Sequence, residues 1–398
     1  MTFTEQLNAL ATFSSTDPET QGVTRLPFTP QQQDAAQWLK RQMEDAGLTA
    51  RVDAYGTVAG VLPGKSEETL IIGSHYDSVP NGGRYDGCSG VIAGIRVAQA
   101  LREEGVVPAY TLMILGLNDE EGVALTEGFL SSRGVCGEID EAALDRVRHR
   151  TTGESLRQLT GPEQAEHISL PKECRGYLEF HVEQGPVLDH EGRGLAVVEH
   201  IVGICHGFWC IYGEQNHAGT TPMELRKDPM PVFGQIAAAL PDLAKRYPKA
   251  VATIGNVEVD PNAPNVIPGS VRFSVDLRHT DKAVMAALRR DVEQLIEETA
   301  AAAGLKCDHQ PSTEADPVTM DPTLCRRLEA CLAAEGQPVY RMDSGAGHDA
   351  QIFARHVPAM MMFAPSRDGQ SHSRREFTEE KYLEQAVRVM TRFVKENF

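Results

Sequence analysis

Gly73-Ser74-His75-Tyr76-Asp77-Ser78-Val79-Pro80-Asn81-Gly82-Gly83-Arg84-Tyr85-Asp86-Gly87 is the stretch on which the fold turns. It follows Thr69-Leu70-Ile71-Ile72, an aliphatic run that reads as a buried strand, so His75 and Asp77 fall at the strand's end and point the same way. Pro80-Asn81-Gly82-Gly83 reads as a loop, and Asp86 precedes the small, apolar run from Val91 to Leu101, which reads as a buried helix. An imidazole and two carboxylates thus gather where a strand hands over to a helix. That arrangement suits a metal site at the carboxyl edge of an α/β sheet, with its ligands held by the ends of rigid elements.

Outward from this stretch, strands and helices alternate. Between Pro30 and Gly47 the apolar residues Ala35, Ala36, Trp38, Leu39, Met43 and Ala46 recur at helical spacing, and Gly47 can end the helix in the left-handed conformation. Strands are predicted at 49–54, 57–62 and 68–75, a helix at about 88–104, and a strand from Tyr110 to Leu117 that runs into Asn118-Asp119-Glu120-Glu121-Gly122. This alternation gives an α/β sheet with parallel character. The polar section 136–172 lacks periodicity and reads as surface helices and loops.

From about 207 the order changes to a strand at 207–213, a helix around 229–246, strands near 250–259 and 269–278, a helix at 281–303 and a strand at 305–310. This β-α-β-β-α-β order is the split ferredoxin-like arrangement. The chain then returns with a helix near 322–335, a strand at 357–363 and a last helix at 379–396. The expected organisation is a catalytic metal-binding domain of residues 1–206 and 322–398, interrupted by an inserted α+β domain at 207–321.

Length supports this division, because 398 residues exceed what a single core ordinarily serves. A net charge of −18 without a basic stripe argues against nucleic acid, whose binding draws on clustered Lys and Arg. Eight cysteines without a Cys-x-x-Cys pair suggest reduced thiols in a cytoplasmic protein. Met1 to Asp17 has neither the basic start nor the apolar core of a signal peptide, and no run suggests a membrane span.

Three further stretches repeat the chemistry of the first. Glu120 and Glu121 follow a strand, His181 and Glu183 lie on one face of the extended segment Glu179 to Gly185, and His372 sits in the loop Ser371-His372-Ser373. Two divalent ions about 3.5–4 Å apart need a bridging carboxylate with imidazoles or carboxylates on either side. Asp86 is assigned as the bridge, His75 and His181 to one ion, and Glu121 and His372 to the other. Asp77 would accept the second ring proton of His75 and set its tautomer. Glu120, left without a metal role, is suited to act as general base.

The opening stretch, Glu120-Glu121-Gly122, His181-Val182-Glu183-Gln184-Gly185-Pro186, Asn216-His217-Ala218-Gly219-Thr220-Thr221-Pro222-Met223, Gly345-Ala346-Gly347-His348-Asp349-Ala350 and Pro365-Ser366-Arg367-Asp368-Gly369 together resemble the N-carbamoyl-L-amino acid hydrolase and allantoate amidohydrolase family. That family belongs to the clan of dinuclear metallopeptidases and aminoacylases, and the resemblance runs from the N-terminal region to the last helix. It implies a mixed-sheet dinuclear metallohydrolase domain with an inserted ferredoxin-like dimerisation domain. It also implies a cytoplasmic homodimer that uses two ions of zinc, manganese, cobalt or nickel. The implied substrate is a small carboxylate bearing a ureido or amide group. Gln184 is implied to contact the carbamoyl group, His217 to polarise the carbonyl, and Asn265 and Arg278 to hold the carboxylate. His348 is placed with the substrate contacts, although its glycine-rich loop equally suits a structural role.

The sequence departs from the family pattern at Val123-Ala124-Leu125, where relatives usually carry Ser-Arg-Phe, and at Cys205-His206. The expected activity is hydrolysis of an N-carbamoyl-L-amino acid to the amino acid, ammonia and carbon dioxide. Its rivals are allantoate or β-ureidopropionate hydrolysis, N-acyl amino acid or dipeptide hydrolysis, and an inactive binding protein on the same fold.

Overall fold

The computed structural model describes residues 1–161 and 167–398, so residues 162–166 of the polar section lie outside the described residues. In chain order its strands are β1 (Thr49–Val52), β2 (Val58–Leu62), β3 (Ser66–His75), β4 (Tyr110–Leu117), β5 (Cys174–Val182), β6 (Ala196–Ile201), β7 (Gly203–Tyr212), β8 (Asn216–His217), β9 (Val251–Thr253), β10 (Val257–Asp260), β11 (Val266–Ile267), β12 (Ser270–His279), β13 (Lys306–Ala315), β14 (Val318–Thr319), β15 (Arg341–Ser344) and β16 (Ala359–Ala364). Contacts divide the chain into one unit of Met1–Glu199 and Thr319–Phe398 and a second of His200–Val318.

The first unit is built on a nine-stranded sheet in the order β1-β2-β4-β3-β5-β16-β6-β14, with β15 also paired to β6. The centre is parallel, with β3 against β4 and β5, and β5 against β16, while β1, β2 and β6 add antiparallel pairs. Parallel strands are apolar on both faces because helices cover both sides, and β16 is buried along its whole length as Ala-Met-Met-Met-Phe-Ala. The helix Cys88–Glu103 shows how sequence sets this packing: it buries Val91, Ile92, Ile95, Val97 and Leu101, each worth about 1.5–3 kcal/mol. Its N-terminus leans on Gly87, at φ 59°, where a Cβ would lie 2.5 Å from the His75 ring.

The helix expected between Pro30 and Gly47 runs Pro30–Asp45, with Thr29 capping its first turn and Gly47 at φ 94°. Val123-Ala124-Leu125 serves packing, since Ala124 and Leu125 are buried and Leu125 joins Tyr55, Leu130 and Leu144 in a satellite core. Among the described residues, no helix is long and apolar enough to cross a membrane.

The second unit has a five-stranded sheet in the order β10-β12-β7-β13, with β9 also on β12 and these strands paired antiparallel. Helices Pro229–Ala244 and Lys282–Ala302 pack Val232, Ile236, Leu288 and Val292 against Trp209, Ile211, Phe273 and Val275 on one sheet face. This is the ferredoxin-like order expected from the sequence. Its first strand starts at Gly203, ahead of the expected 207, and the segment expected near 250–259 is two short strands, β9 and β10. The β7–β12 ladder pairs Gly203 with His279 at one end and Tyr212 with Ser270 at the other. Just beyond that second end, β8 and β11 pair His217 with Val266.

Candidate metal centre and active site

Four segments of the first unit bring polar side chains to the carboxyl edge of its sheet. His75 ends β3, Asp86 precedes the buried helix, His181 lies at the end of β5, and Glu120 and Glu121 follow β4. His75, Asp77, Asp86 and His181 are all buried. Asp119, Gln184 and His372 stand at positive φ, a backbone state that costs roughly 1 kcal/mol or more in non-glycine residues and concentrates at functional sites.

Asp86 is the hub. Its Oδ1 lies 3.2 Å from His75 Nε2 and 3.2 Å from His181 Nε2, and its Oδ2 lies 3.3 Å from His372 Nε2. Glu121 Oε2 is 3.7 Å from His372 Nε2, and Glu120 Oε2 is 3.9 Å from His75 Nε2. Possible ligand atoms fall within 4.8 Å of one another in three overlapping sets: His75, Asp86 and His181; His75, Glu120 and Glu121; and Asp86, Glu121 and His372.

The donor set fits a divalent cation. His181 Nδ1 sits 2.8 Å from Val182 O, which places the ring proton there and leaves the Nε2 lone pair facing His75 Nε2 at 3.4 Å. Asp86 Oδ1 is buried without a hydrogen-bond partner. Two imidazole nitrogens and a carboxylate oxygen facing one another need a positive centre, and imidazole with carboxylate suits zinc or a related metal.

Electrostatics tell the same story. Burial resists a charge on His75, yet Glu120, Asp77 and Asp86 hold its imidazole well above its ordinary range. Burial also works against the Asp86 anion, but His181, His372 and His75 hold its carboxyl well below the usual range. Burial, against the attraction of His75, pushes Glu120 well above it. Burial and the Asp86 charge bring Glu121 up to about 7. The hydrogen bond to Asp86 lifts His372 to about 9.

Asp77 lies beside His75 Nδ1 as expected, at a longer distance than a hydrogen bond. Its Oδ1 is 3.6 Å from His75 Nδ1, beyond hydrogen-bond length, and its own carbonyl oxygen is closer at 3.3 Å. The carboxylate also accepts the backbone N–H groups of Glu120 and Glu121 at 3.2 and 3.3 Å, so it anchors the turn that carries the expected base and ligand. Glu183 accepts the N–H groups of Val187 and Leu188 and serves the following helical turn. Gln184 joins the cluster, donating from Nε2 to Asp86 Oδ2 at 2.8 Å.

His348 needs the clearest correction. It is 1% exposed, packs edge-on against His181 with ring centres 4.6 Å apart, and meets Ser344 Oγ at 2.8 Å. Burial first, and then the neighbouring His181, hold it well below its ordinary range, and at 1% exposure it packs behind a candidate ligand. Sequence reasoning missed Glu376, which is buried and accepts the N–H groups of Tyr85 and Asp86 at 2.8 and 3.0 Å. Its sequence position, four residues after His372 and directly after Arg374-Arg375, reads as an ordinary surface charge.

The remaining expected residues lie in the second unit. His217 is exposed, and its Nδ1 accepts the N–H groups of Gly219 and Thr220 at 3.0 and 3.2 Å. A neutral ring so held carries its proton on Nε2, ready to donate. Asn265 is tied to the same turn, its carbonyl accepting from Ala218 at 3.0 Å. Arg278 forms a forked pair with Asp276 at 2.9 and 3.2 Å, an interaction the sequence reading did not include.

With this geometry in place, likeness to known proteins becomes specific. A family profile, Peptidase family M20/M25/M40, matches residues 71–396. The chain belongs to this family, in its allantoate and N-carbamoyl-L-amino acid amidohydrolase branch. It is 35% identical to an allantoate amidohydrolase of Bacillus subtilis (strain 168), over 93% of this chain and 91% of that one. It is 32% identical to an N-carbamoyl-L-amino-acid amidohydrolase of Paenarthrobacter aurescens, over 98% and 96%. The crystal structure of a hydantoinase/carbamoylase family amidase from Burkholderia multivorans superposes with a TM-score of 0.90 at 28% identity, covering 99% of this chain and 96% of that one. The M20 chain is therefore a hydrolase of linear amide or ureido carbon–nitrogen bonds, and its family and donor cluster together support divalent-metal binding.

Proposed function

We propose that this amidohydrolase cleaves an N-carbamoyl-L-amino acid to the L-amino acid, ammonia and carbon dioxide, as a cytoplasmic homodimer with two divalent ions per chain. The observation that carries the reading is the shared carboxylate, with Asp86 Oδ1 facing His75 and His181 while Oδ2 faces His372. His75, His181 and Asp86 would hold one ion, and Asp86, Glu121 and His372 the other. Bound ions of this kind generate a nucleophile from water and polarise a carbonyl.

The chain's own groups supply the rest. Glu120, whose carboxyl is pushed upward by burial, takes a proton and returns it to the leaving nitrogen. Gln184 presents its amide to the carbamoyl group from beside Asp86 and His372. His217 donates from Nε2 to the developing oxyanion, and Asn265 and Arg278 hold the substrate carboxylate.

One feature of the second unit argues for two subunits at each site. Arg278 pairs with Ile204 near one end of the long ladder, whereas His217 lies beyond the other end. From Ser270 to Arg278 alone, at about 3.3 Å per residue, the strand spans roughly 26 Å. A small substrate cannot touch Arg278 and the His217 turn of one chain, so a site using all three residues takes Arg278 from one protomer and the partner's His217, with the partner's Asn265 adjoining it. Beside the His217 turn, Met223 and Leu225 are 72% and 70% exposed, as an interface awaiting a partner would be.

Allantoate is the second candidate substrate, favoured by the 35% identity to an allantoate amidohydrolase. A screen of carbamoyl amino acids, allantoate, β-ureidopropionate and acyl amino acids, each with zinc, manganese, cobalt and nickel, tests the choice. Carbamoyl amino acids are expected to turn over fastest. Turnover of allantoate alone would transfer the assignment to it, and turnover of neither ureido class would overturn the reading.

A further inference from the structure

The two segments that meet at Asp86 and His372 are separated by most of the chain and need something to hold them in register. Glu376 is placed to do this. Its Oε2 accepts the N–H groups of Tyr85 and Asp86 at 2.8 and 3.0 Å, and its Oε1 lies 3.3 Å from Ser371 Oγ. Ser371 Oγ in turn lies 3.3 Å from Asp86 Oδ2 and directly precedes His372. A Cβ on Gly83 would overlap the Glu376 carboxylate, so the loop approaches this side chain as closely as glycine permits.

We infer that Glu376 is a positioning residue that creates the second metal position, the one shared by Asp86 Oδ2, Glu121 and His372, and leaves the first position at His75 and His181 intact. This rests on the two-ion reading given above. The asymmetry follows from where Glu376 acts. His75 and His181 are carried on β3 and β5, which pair directly with each other through Ile72 and Leu178, and Val182 O orients the His181 ring. His372 has no such support: it lies in a loop at φ 52°, and its side chain is 49% exposed. Hydrogen bonds that one carboxylate accepts from both the Asp86 backbone and the His372 segment are therefore what bring Oδ2 and the third imidazole together.

The test is metal stoichiometry measured by elemental analysis and titration calorimetry on the purified full chain loaded with zinc, with circular dichroism as the check on folding. Wild type is expected to bind two ions. Glu376→Ala should bind one ion with near wild-type affinity and the other at least tenfold more weakly. Glu376→Gln keeps an acceptor for both N–H groups and should restore most of the second affinity, whereas Glu376→Met, of similar bulk but without an oxygen acceptor, should stay as impaired as alanine. Gly83→Ala, which leaves Glu376 chemically intact but displaces it, should reproduce the alanine phenotype. Should Glu376→Ala fail to fold, Gly83→Ala and Ser371→Ala carry the same test. Two tight ions in folded Glu376→Ala, equal weakening of both ions, or a glutamine variant as impaired as alanine would each overturn the inference. A single ion in wild type would instead overturn the two-ion reading on which it rests.

Discussion

The two units hold their functional side chains by opposite means. In the first, His75, Asp77, Asp86 and His181 are buried and each is bound by several neighbours, so the site is largely organised before substrate arrives. In the second, His217 is exposed on a turn and Arg278 is engaged by Asp276. A chemical centre that must not move is placed in the core. The second unit instead carries its turn and its ion pair near the chain surface.

Removing metal strikes the first unit hardest. Chelation is expected to abolish activity while circular dichroism keeps its native form, and full activity after thorough demetallation would refute it. The metal-free protein should also respond to pH. His372 is held up at about 9 and His75 and His181 are likewise raised, so their stabilising contribution is complete below the unfolded value near 6.5 and is lost as pH rises through the folded values. Its melting temperature should fall between about pH 6.5 and 9, and less steeply once metal has replaced the protons.

Within the buried centre, the roles of the paired glutamates can be separated. Glu120→Gln should lower kcat by roughly two orders of magnitude or more with metal content unchanged, whereas Glu121→Gln should also lose metal. Metal loss confined to the Glu120 variant would reverse the assignment.

The contrast between units sharpens in mixed dimers. His217→Ala and Glu120→Gln should each be nearly inactive alone. If His217 serves the neighbouring site, random exchange makes about half the dimers mixed, each with one complete site, and about a quarter of wild-type activity returns. No recovery after verified exchange would confine His217 to its own chain or remove it from catalysis.

The smallest effect belongs to Arg278. Arg278→Lys keeps the charge and loses the fork, so the KM for carboxylate substrates should rise by roughly tenfold and that for the corresponding amide much less. An equal rise for both would place Arg278 outside the carboxylate pocket.

Much of this was legible in the sequence where period and chemistry coincide. Ile71 and Ile72 mark β3, the helix after Asp86 follows from its small apolar run, and His75, Asp86, Glu121, His181 and His372 do converge. What escaped was set by tertiary contact. The β6 strand, Ala-Val-Val-Glu-His-Ile, is too mixed in polarity to stand out, and the split into β9 and β10 follows from separate pairings on β12. The burial of His348 behind His181 and the grip of Asp77 on the Glu120 turn depend on residues far apart in sequence. Glu376 reads locally as one more acidic residue before a helix, and only the folded loop shows which N–H groups it serves.

The strand order has a consequence for how this protein is made. The apolar strand β5, which carries His181, lies between β3 and β16, yet β16 is translated only after the entire inserted unit. A nascent or truncated chain ending near Val318 would therefore display Tyr177, Leu178 and Phe180 on an open edge, an invitation to self-association. Such a fragment should aggregate under conditions in which the full chain stays dispersed, and a synthetic or co-expressed segment spanning Thr319 to Phe398 should suppress that aggregation by supplying the missing strand.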